Sequence, residues 1–99
     1  MVKTIVWRRK ANNEFNAIIN YLQKNWNDKV TKSFVEKAYQ IIEILREYPE
    51  MGTIENYEKQ IRGFVITKHN TLYYRIEGDE LILLSFFDNR QNPKKRSDI

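Results

Sequence analysis

The 99-residue chain contains no cysteine, one histidine, three glycines and two prolines. Without cysteine, the sequence excludes both a disulfide-built secreted scaffold and a metal site made of thiolates. No apolar run approaches the roughly 20 residues that a membrane-spanning helix requires. The apolar stretch near the N-terminus is also too short for the core of a signal peptide. We therefore expect a cytoplasmic protein that does not enter the membrane.

The size and residue content indicate one small domain without a cofactor. Of the 99 residues, 41% are hydrophobic and 13% are aromatic, which is enough for one hydrophobic core and too little for two. We therefore expect a single domain over residues 1–99. The sequence contains no Ser/His/Asp or Cys/His set, no phosphate-binding glycine loop and no metal-ligand spacing. We accordingly expect neither a cofactor nor a metal site.

The net charge of +4 is unevenly distributed along the chain. Basic residues flank an acidic middle segment. The basic residues before it are Lys3, Arg8, Arg9 and Lys10, and those after it are Arg90, Lys94, Lys95 and Arg96. This distribution predicts one basic face, which could contact a polyanion or an acidic segment of a partner. Basic tails that only aid solubility are an equally good interpretation.

Hydrophobic periodicity in the first half of the chain predicts a strand followed by two helices. Residues 3–7 are rich in strand formers, and large apolar residues then recur at steps of three and four. The first stripe consists of Ala11, Phe15, Ile18, Ile19, Leu22 and Trp26, and the second of Val30, Phe34, Ala38, Ile41, Ile42 and Leu45. Asn27 and Asp28 lie between the stripes as a stop and N-cap signal, so we expect a helical hairpin.

In the second half the apolar period falls to two, which is typical of strands. We expect a loop from Pro49 to about residue 56, followed by strands from residue 60, over 72–76 and over 81–87. Gly78 and Asp79 predict a reverse turn between the last two strands. The last strand is apolar on both faces and therefore predicts an interior position. The expected fold is α+β, in the order β-αα-βββ, with an antiparallel sheet packed against the helical hairpin.

Cationic side chains that could carry chemistry fall in the strand region, and they are Arg62, Lys68, His69, Arg75 and Arg90. Arg62 and Lys68 share strand parity, so an unbroken strand would project both to one face, whereas a bulge would separate them. Such cations could hold a phosphodiester and stabilise the charge that develops on it. His69 is the only side chain naturally suited to proton transfer near neutral pH. Ordinary solvated strand residues, paired with glutamates, are the alternative interpretation.

Two adjacent aromatic pairs also lie on the predicted strands. Strand alternation places one of Tyr73 and Tyr74 toward the core and the other away from it, and Phe86 and Phe87 divide in the same way. An outward ring beside arginines could stack on a nucleic-acid base. Core packing or contact with a partner is the alternative.

These features, in this order, resemble the RelE/ParE superfamily of small bacterial toxins. The resemblance is carried by YPEMG after the second helix, an arginine opening the next strand, KHN before LYYRI, and the closing NRQNP. It implies the toxin of a type II toxin-antitoxin module of the plasmid-stabilisation type, which arrests bacterial growth. It further implies a cognate antitoxin that neutralises the toxin within a hetero-oligomer.

Within the superfamily, the RelE type consists of ribosome-dependent mRNA endonucleases that need no metal. Their lysines on the first strand after the helices correspond to Val65 and Thr67 here, and Thr71 occupies the position of an arginine on the next strand. Arg90 alone carries over directly. An endoribonuclease would therefore have to use Arg62, Lys68, His69 and Arg90 as its catalytic residues.

The pattern is closer to the ParE branch, whose members are associated with poisoning DNA gyrase. Arg62 matches the strand-opening arginine, and Arg90, Gln91 and Pro93 match the closing motif, whereas Asp88 replaces a frequent histidine. The residues expected to bind the target or an acidic antitoxin segment are Arg62, Arg75, Arg90, Gln91, Lys94, Lys95 and Arg96. A non-toxic member of the family that acts only as a binding module is the third alternative.

Overall fold

The computed structural model describes Val2 and residues 4–90. Its elements are β1 (Thr4–Trp7), α1 (Arg9–Asn25), α2 (Asp28–Glu47), β2 (Thr53–Asn56), β3 (Ile61–Thr67), β4 (Asn70–Glu77) and β5 (Glu80–Asp88). The strands form one sheet in the order β1-β5-β4-β3-β2. The α+β fold, with a helical hairpin packed against a sheet, is confirmed.

The second helix of the hairpin, α2, begins where the sequence predicts it. Asn27 is the N-cap of α2, and its side-chain oxygen accepts a hydrogen bond from the backbone N–H of Val30 at 2.9 Å. This bond satisfies one of the donors that a helix start leaves unpaired. The apolar stripes are wrong at two positions. Trp26 is 65% exposed because it lies beyond the end of α1, as its C-cap, and Val30 in the first turn of α2 is exposed as well.

The sheet differs from the expectation in two respects. First, β1 pairs with β5 in parallel, so the sheet is mixed, although β2 to β5 are antiparallel to one another. The sequence pattern of one short strand does not encode its direction, and the helical hairpin between β1 and β3 permits either. Second, the predicted loop contains β2, a four-residue edge strand whose residues are all exposed. Because both of its faces meet solvent, β2 lacks apolar alternation.

The main core lies between the sheet and the two helices. Trp7 stacks on Phe86 with ring centroids 5.5 Å apart, and Phe15 of α1 lies 5.0 Å from Phe86. Leu83 is fully buried in the same core. The apolar strand β5 lies between β1 and β4, as predicted. Glu14 of α1 also contacts β5, since its carboxylate accepts hydrogen bonds from the Ser85 hydroxyl and the Phe86 N–H.

The adjacent aromatic pairs divide between two clusters, as strand alternation predicts. Tyr74 and Phe86 belong to the main core, whereas Tyr73 and Phe87 form a smaller cluster with Ile61. The Tyr73 and Phe87 rings meet edge to face with centroids 6.0 Å apart. Because both rings are almost completely buried, neither is available to stack on a nucleic-acid base.

In the part of the chain that the structure describes, no helix has both the length and the apolar character needed to cross a membrane.

Candidate functional site at the turn end of the sheet

One end of the sheet gathers polar side chains from the β3–β4 turn and from the end of β5. We call this group the turn-end cluster, and it consists of Lys68, His69, Asp88, Asn89 and Arg90. Asn89 joins the two segments because its N–H donates to the His69 carbonyl at 2.8 Å and its side-chain amide donates to the Lys68 carbonyl at 3.3 Å. Its side-chain oxygen accepts from the Thr71 hydroxyl at 2.8 Å. Asn89 therefore fixes the end of β5 against the turn.

The β3–β4 turn is also hydrogen-bonded internally. The Thr67 hydroxyl donates to the side-chain oxygen of Asn70 at 3.1 Å and accepts from the His69 N–H at 3.2 Å. Such local side-chain bonds stabilise a two-residue turn between paired strands. The backbone of His69 is consequently held from both sides, by Thr67 and by Asn89.

Arg90 is clamped by Asp88 within the turn-end cluster. One carboxylate oxygen of Asp88 accepts from the Arg90 backbone N–H at 2.9 Å and from Nε at 3.0 Å, and the other accepts from Nη2 at 3.0 Å. These hydrogen bonds from Arg90 hold the pKa of the Asp88 carboxyl below its ordinary value, and His69 has a smaller effect in the same direction. Asp88 likewise raises the pKa of Arg90, with a smaller effect from Tyr21 on α1.

Arg62 lies at the opposite end of β3 and anchors a loop. Its Nη1 group donates to the carbonyls of Gly52 at 2.8 Å and Glu50 at 3.1 Å. In the same place the Tyr74 hydroxyl donates to the Pro49 carbonyl at 2.7 Å and accepts from the Gly52 N–H at 2.9 Å. We call Pro49, Glu50, Gly52, Arg62 and Tyr74 the loop-anchor cluster. It fixes the connection between α2 and β2.

The structure does not bring Arg62 together with Arg90. Arg62 pairs with Tyr74, and Tyr74 pairs with Leu83, which precedes Arg90 by seven residues. Seven residues of strand span about 20 Å. At that separation the two arginine side chains cannot both contact one phosphodiester. Lys68 does not share a strand face with Arg62, since β3 ends at Thr67 after irregular pairing. Lys68, His69 and Arg90, by contrast, do lie together.

The remaining predicted binding residues are divided between an ion pair and the C-terminal segment. Arg75 forms a salt bridge with Glu77 at 3.1 Å, near the Gly78–Asp79 turn and away from Arg90. Gln91, Lys94, Lys95 and Arg96 lie outside the described residues, as does Lys3.

Sequence reasoning missed the contacts of three residues at the turn end. Thr71 and Asn89 enter it only through the family resemblance, and Tyr21 reads as part of the polar face of α1. Their roles depend on the pairing of β4 with β5 and on the placement of α1 beside β5, which are long-range features. Among the described residues, no group of three or more His, Cys, Asp or Glu side chains is placed to hold a metal ion.

Comparison with known proteins identifies the family. The model of the ParE toxin family of type II toxin-antitoxin systems (parDE) matches residues 5–93. No curated protein matches the chain in sequence. The chain is similar in structure to a chromosomal ParDE toxin-antitoxin protein from P. aeruginosa, with a TM-score of 0.74 at 15% identity, over 88% of this chain and 96% of that one.

Two further structures share the fold. The YoeB/ParE toxin from Agrobacterium tumefaciens has a TM-score of 0.65 at 16% identity, over 88% of this chain and 99% of that one. A chain of the heterotetrameric YoeB-YefM toxin-antitoxin complex from Staphylococcus aureus has a TM-score of 0.59 at 14% identity, over 88% and 95%. The family match over residues 5–93 shows that the chain belongs to the ParE toxin family of type II toxin-antitoxin systems.

Proposed function

We propose that this ParE-family toxin arrests growth by inhibiting DNA gyrase through protein contact, with Arg90 as a contact residue. The observation that carries the proposal is the separation of the two arginines of the family pattern. Arg62 is bound to loop carbonyls about 20 Å along the sheet from Arg90. The two arginines therefore suit separate roles better than joint stabilisation of charge on one phosphodiester.

A ribosome-dependent endoribonuclease is the second candidate, because the turn-end cluster does place Lys68, His69 and Arg90 at one end of the sheet. The carboxylate of Asp88 counts against this candidate. It already occupies the Nε–Nη2 edge of Arg90, and its charge would repel a phosphodiester at the same place. Thr71, which occupies the position of a RelE-type arginine, is buried and bonded to Asn89.

We further propose that a cognate antitoxin covers the outer face of α2 and forms a hetero-oligomer with the toxin. Tyr39 and Ile44 are 50% and 43% exposed on this helix and line one shallow groove together with Val35, and Tyr48, at the C-cap, is 62% exposed. Adjacent exposed apolar side chains of this kind are typical of interaction surfaces. The fold is shared with a chain of a toxin-antitoxin heterotetramer, which also supports an antitoxin partner.

Two assays on the same purified protein test the proposed target. In the first, gyrase supercoils relaxed plasmid in the presence of increasing toxin, and both supercoiling and DNA cleavage are measured. In the second, primer extension maps cuts on a defined mRNA in a purified translation system without gyrase. Arg90→Glu is the test variant. Lys32→Glu is the matched control, because it makes the same charge change at a side chain 79% exposed on α2.

We expect wild type and Lys32→Glu to inhibit supercoiling, Arg90→Glu to lose inhibition, and no cuts to occur on the mRNA. Cuts at ribosome-held codons that disappear in Arg90→Glu would contradict the proposal and establish the endoribonuclease instead. Inhibition of gyrase by Arg90→Glu as strong as that by wild type would remove Arg90 from the contact surface.

A further inference from the structure

Asp88 engages only part of the guanidinium of Arg90. The carboxylate binds the Nε–Nη2 edge. A guanidinium carries five N–H donors, so the hydrogens of Nη1 and the second hydrogen of Nη2 remain for another acceptor. No hydrogen bond joins Nη1 to any of the residues that the structure describes, and the Arg90 side chain is 58% exposed. Arg90 is thus oriented by Asp88 and still able to bind a partner.

The charge of Asp88 determines which acceptors can bind the N–H groups of Arg90 that Asp88 leaves unoccupied. Side by side, the carboxylate and the guanidinium have no net charge, so an approaching anion is attracted by one and repelled by the other. A phosphodiester would therefore gain little binding free energy from these N–H groups. A neutral carbonyl oxygen meets no such repulsion and can accept from the oriented N–H groups. Exposed backbone carbonyls at the end of a helix are acceptors of this kind.

We propose that Asp88 is a specificity-determining residue, which prevents Arg90 from binding phosphodiesters and leaves it to contact neutral acceptors on a protein partner. This inference deepens the proposed function and rests on it for the identity of the partner. Removing the negative charge of Asp88 should convert Arg90 into a phosphodiester-binding residue. Asp88→Asn makes this change with little other disturbance, because the asparagine side chain keeps an oxygen that accepts from the Arg90 backbone N–H.

The chain offers a closely matched control for Asp88→Asn. Glu77→Gln makes the same change in net charge and also releases an arginine from a carboxylate, since Glu77 is bound to Arg75 at 3.1 Å. The two ion pairs lie at different places on the sheet, because Asp88 pairs with Asn70 and Glu77 pairs with Glu80 at opposite ends of β4. A general effect of charge would therefore appear in both variants, and a local effect only in Asp88→Asn.

Fluorescence anisotropy tests the inference on the 99-residue chain. The probe is a labelled single-stranded oligoadenylate RNA of about 20 nucleotides, which is longer than the site of one small nucleic-acid-binding domain. We expect Asp88→Asn to raise the affinity about fivefold, as release of a surface ion pair permits, and Glu77→Gln to raise it less than about twofold. Adding Arg90→Gln to Asp88→Asn should cancel the gain.

Equal gains in Asp88→Asn and Glu77→Gln, or no gain in Asp88→Asn, would overturn the inference. A gain that persists after Arg90→Gln would overturn it as well. Circular dichroism of each variant establishes that the compared proteins are folded. The binding assay contains no gyrase, so failure of the wild type to inhibit gyrase would overturn the proposed function separately.

Discussion

The two ends of the sheet use arginine in different ways. At one end Arg62 donates to backbone carbonyls and helps to close the loop after α2, beside the buried hydroxyl of Tyr74. At the other end Arg90 is held by the carboxylate of the neighbouring Asp88 and stays largely exposed. The resemblance to the ParE branch predicts a role for both arginines, and they differ in position on the sheet and in bonding partners.

From this difference we propose that Arg62 has a structural role, although it matches the family pattern. Bonds from Arg62 to main-chain carbonyls 10 and 12 residues away stabilise the fold, because they fix the loop between α2 and β2. The bonds of Arg90 are local and solvent-exposed, so they contribute little to stability and leave the side chain available. We therefore propose that the loop-anchor cluster serves stability and that Arg90 at the turn end serves target contact.

The largest expected effect on stability is that of Gly52→Ala in the loop-anchor cluster. A Cβ at Gly52 would overlap the Tyr74 hydroxyl and lie 2.8 Å from its ring carbon Cε1. Overpacking of this kind should lower the free energy of unfolding by about 3 kcal/mol. Urea denaturation measures the loss, with Thr53→Ala at the neighbouring exposed position as the control. A loss below about 1 kcal/mol would show that the loop adjusts without cost.

Tyr74→Phe should have the next largest effect. It removes the hydroxyl that donates to Pro49 and accepts from Gly52, and it leaves the buried Gly52 N–H without its acceptor. We expect a loss of about 2 kcal/mol in the free energy of unfolding. Tyr57→Phe is the matched control, because that ring is exposed, and it should change stability by less than about 0.5 kcal/mol. Equal effects of the two substitutions would contradict the assigned role.

Tyr74 should also have a smaller effect on the free energy of unfolding at alkaline pH. Burial raises the pKa of Tyr74 above the ordinary value of 10.0, against the opposing effects of Gly52 and Arg62. The folded protein therefore favours the neutral phenol. This contribution to stability is present below the pKa of the unfolded chain and is lost as pH rises through the folded pKa. Stability of the wild type should consequently fall more steeply above about pH 10 than that of Tyr74→Phe. Parallel declines would exclude Tyr74 as the cause.

The smallest effect is expected at acid pH, at the turn end. Arg90 lowers the pKa of the Asp88 carboxyl below its ordinary value of 3.8. Its stabilising contribution is thus present above the unfolded pKa and lost as pH falls through the folded pKa, and solvent screening keeps it small. Titration of the Asp88 carboxyl carbon by NMR should show the lowered pKa in wild type. The pKa should return toward its ordinary value in Arg90→Gln, and an unchanged pKa would show that Arg90 does not hold Asp88 in solution.

Local signals predict the parts of this fold that depend on local physics. The N-cap at Asn27 and the turn at Gly78–Asp79 occur as expected, and the positive φ of 59° at Gly78 explains why glycine occupies that turn. The edge strand β2 and the parallel pairing of β1 are not predictable from periodicity, because one has both faces in solvent and the other is paired across most of the chain.

The candidate site shows the same division between local and long-range information. Strand parity predicts that Arg62 and Lys68 share a face, but the irregular end of β3 places Lys68 in the turn. The partners of Arg62 are carbonyls 10 and 12 residues away, and carbonyls carry no signal in a sequence. The pair of Asp88 and Arg90 is only two residues apart, yet its geometry depends on the way in which Asn89 fixes the end of β5.

The most direct test of the account compares Arg62→Gln with Arg90→Gln in two measurements, the thermal unfolding midpoint and growth arrest on induction at equal soluble levels. We predict that Arg62→Gln lowers the midpoint and still arrests growth at temperatures where it is folded. Arg90→Gln should keep the wild-type midpoint and lose growth arrest. The opposite result would contradict the account: full arrest by Arg90→Gln, together with loss of arrest by folded Arg62→Gln, would place the functional contact at the loop-anchor cluster.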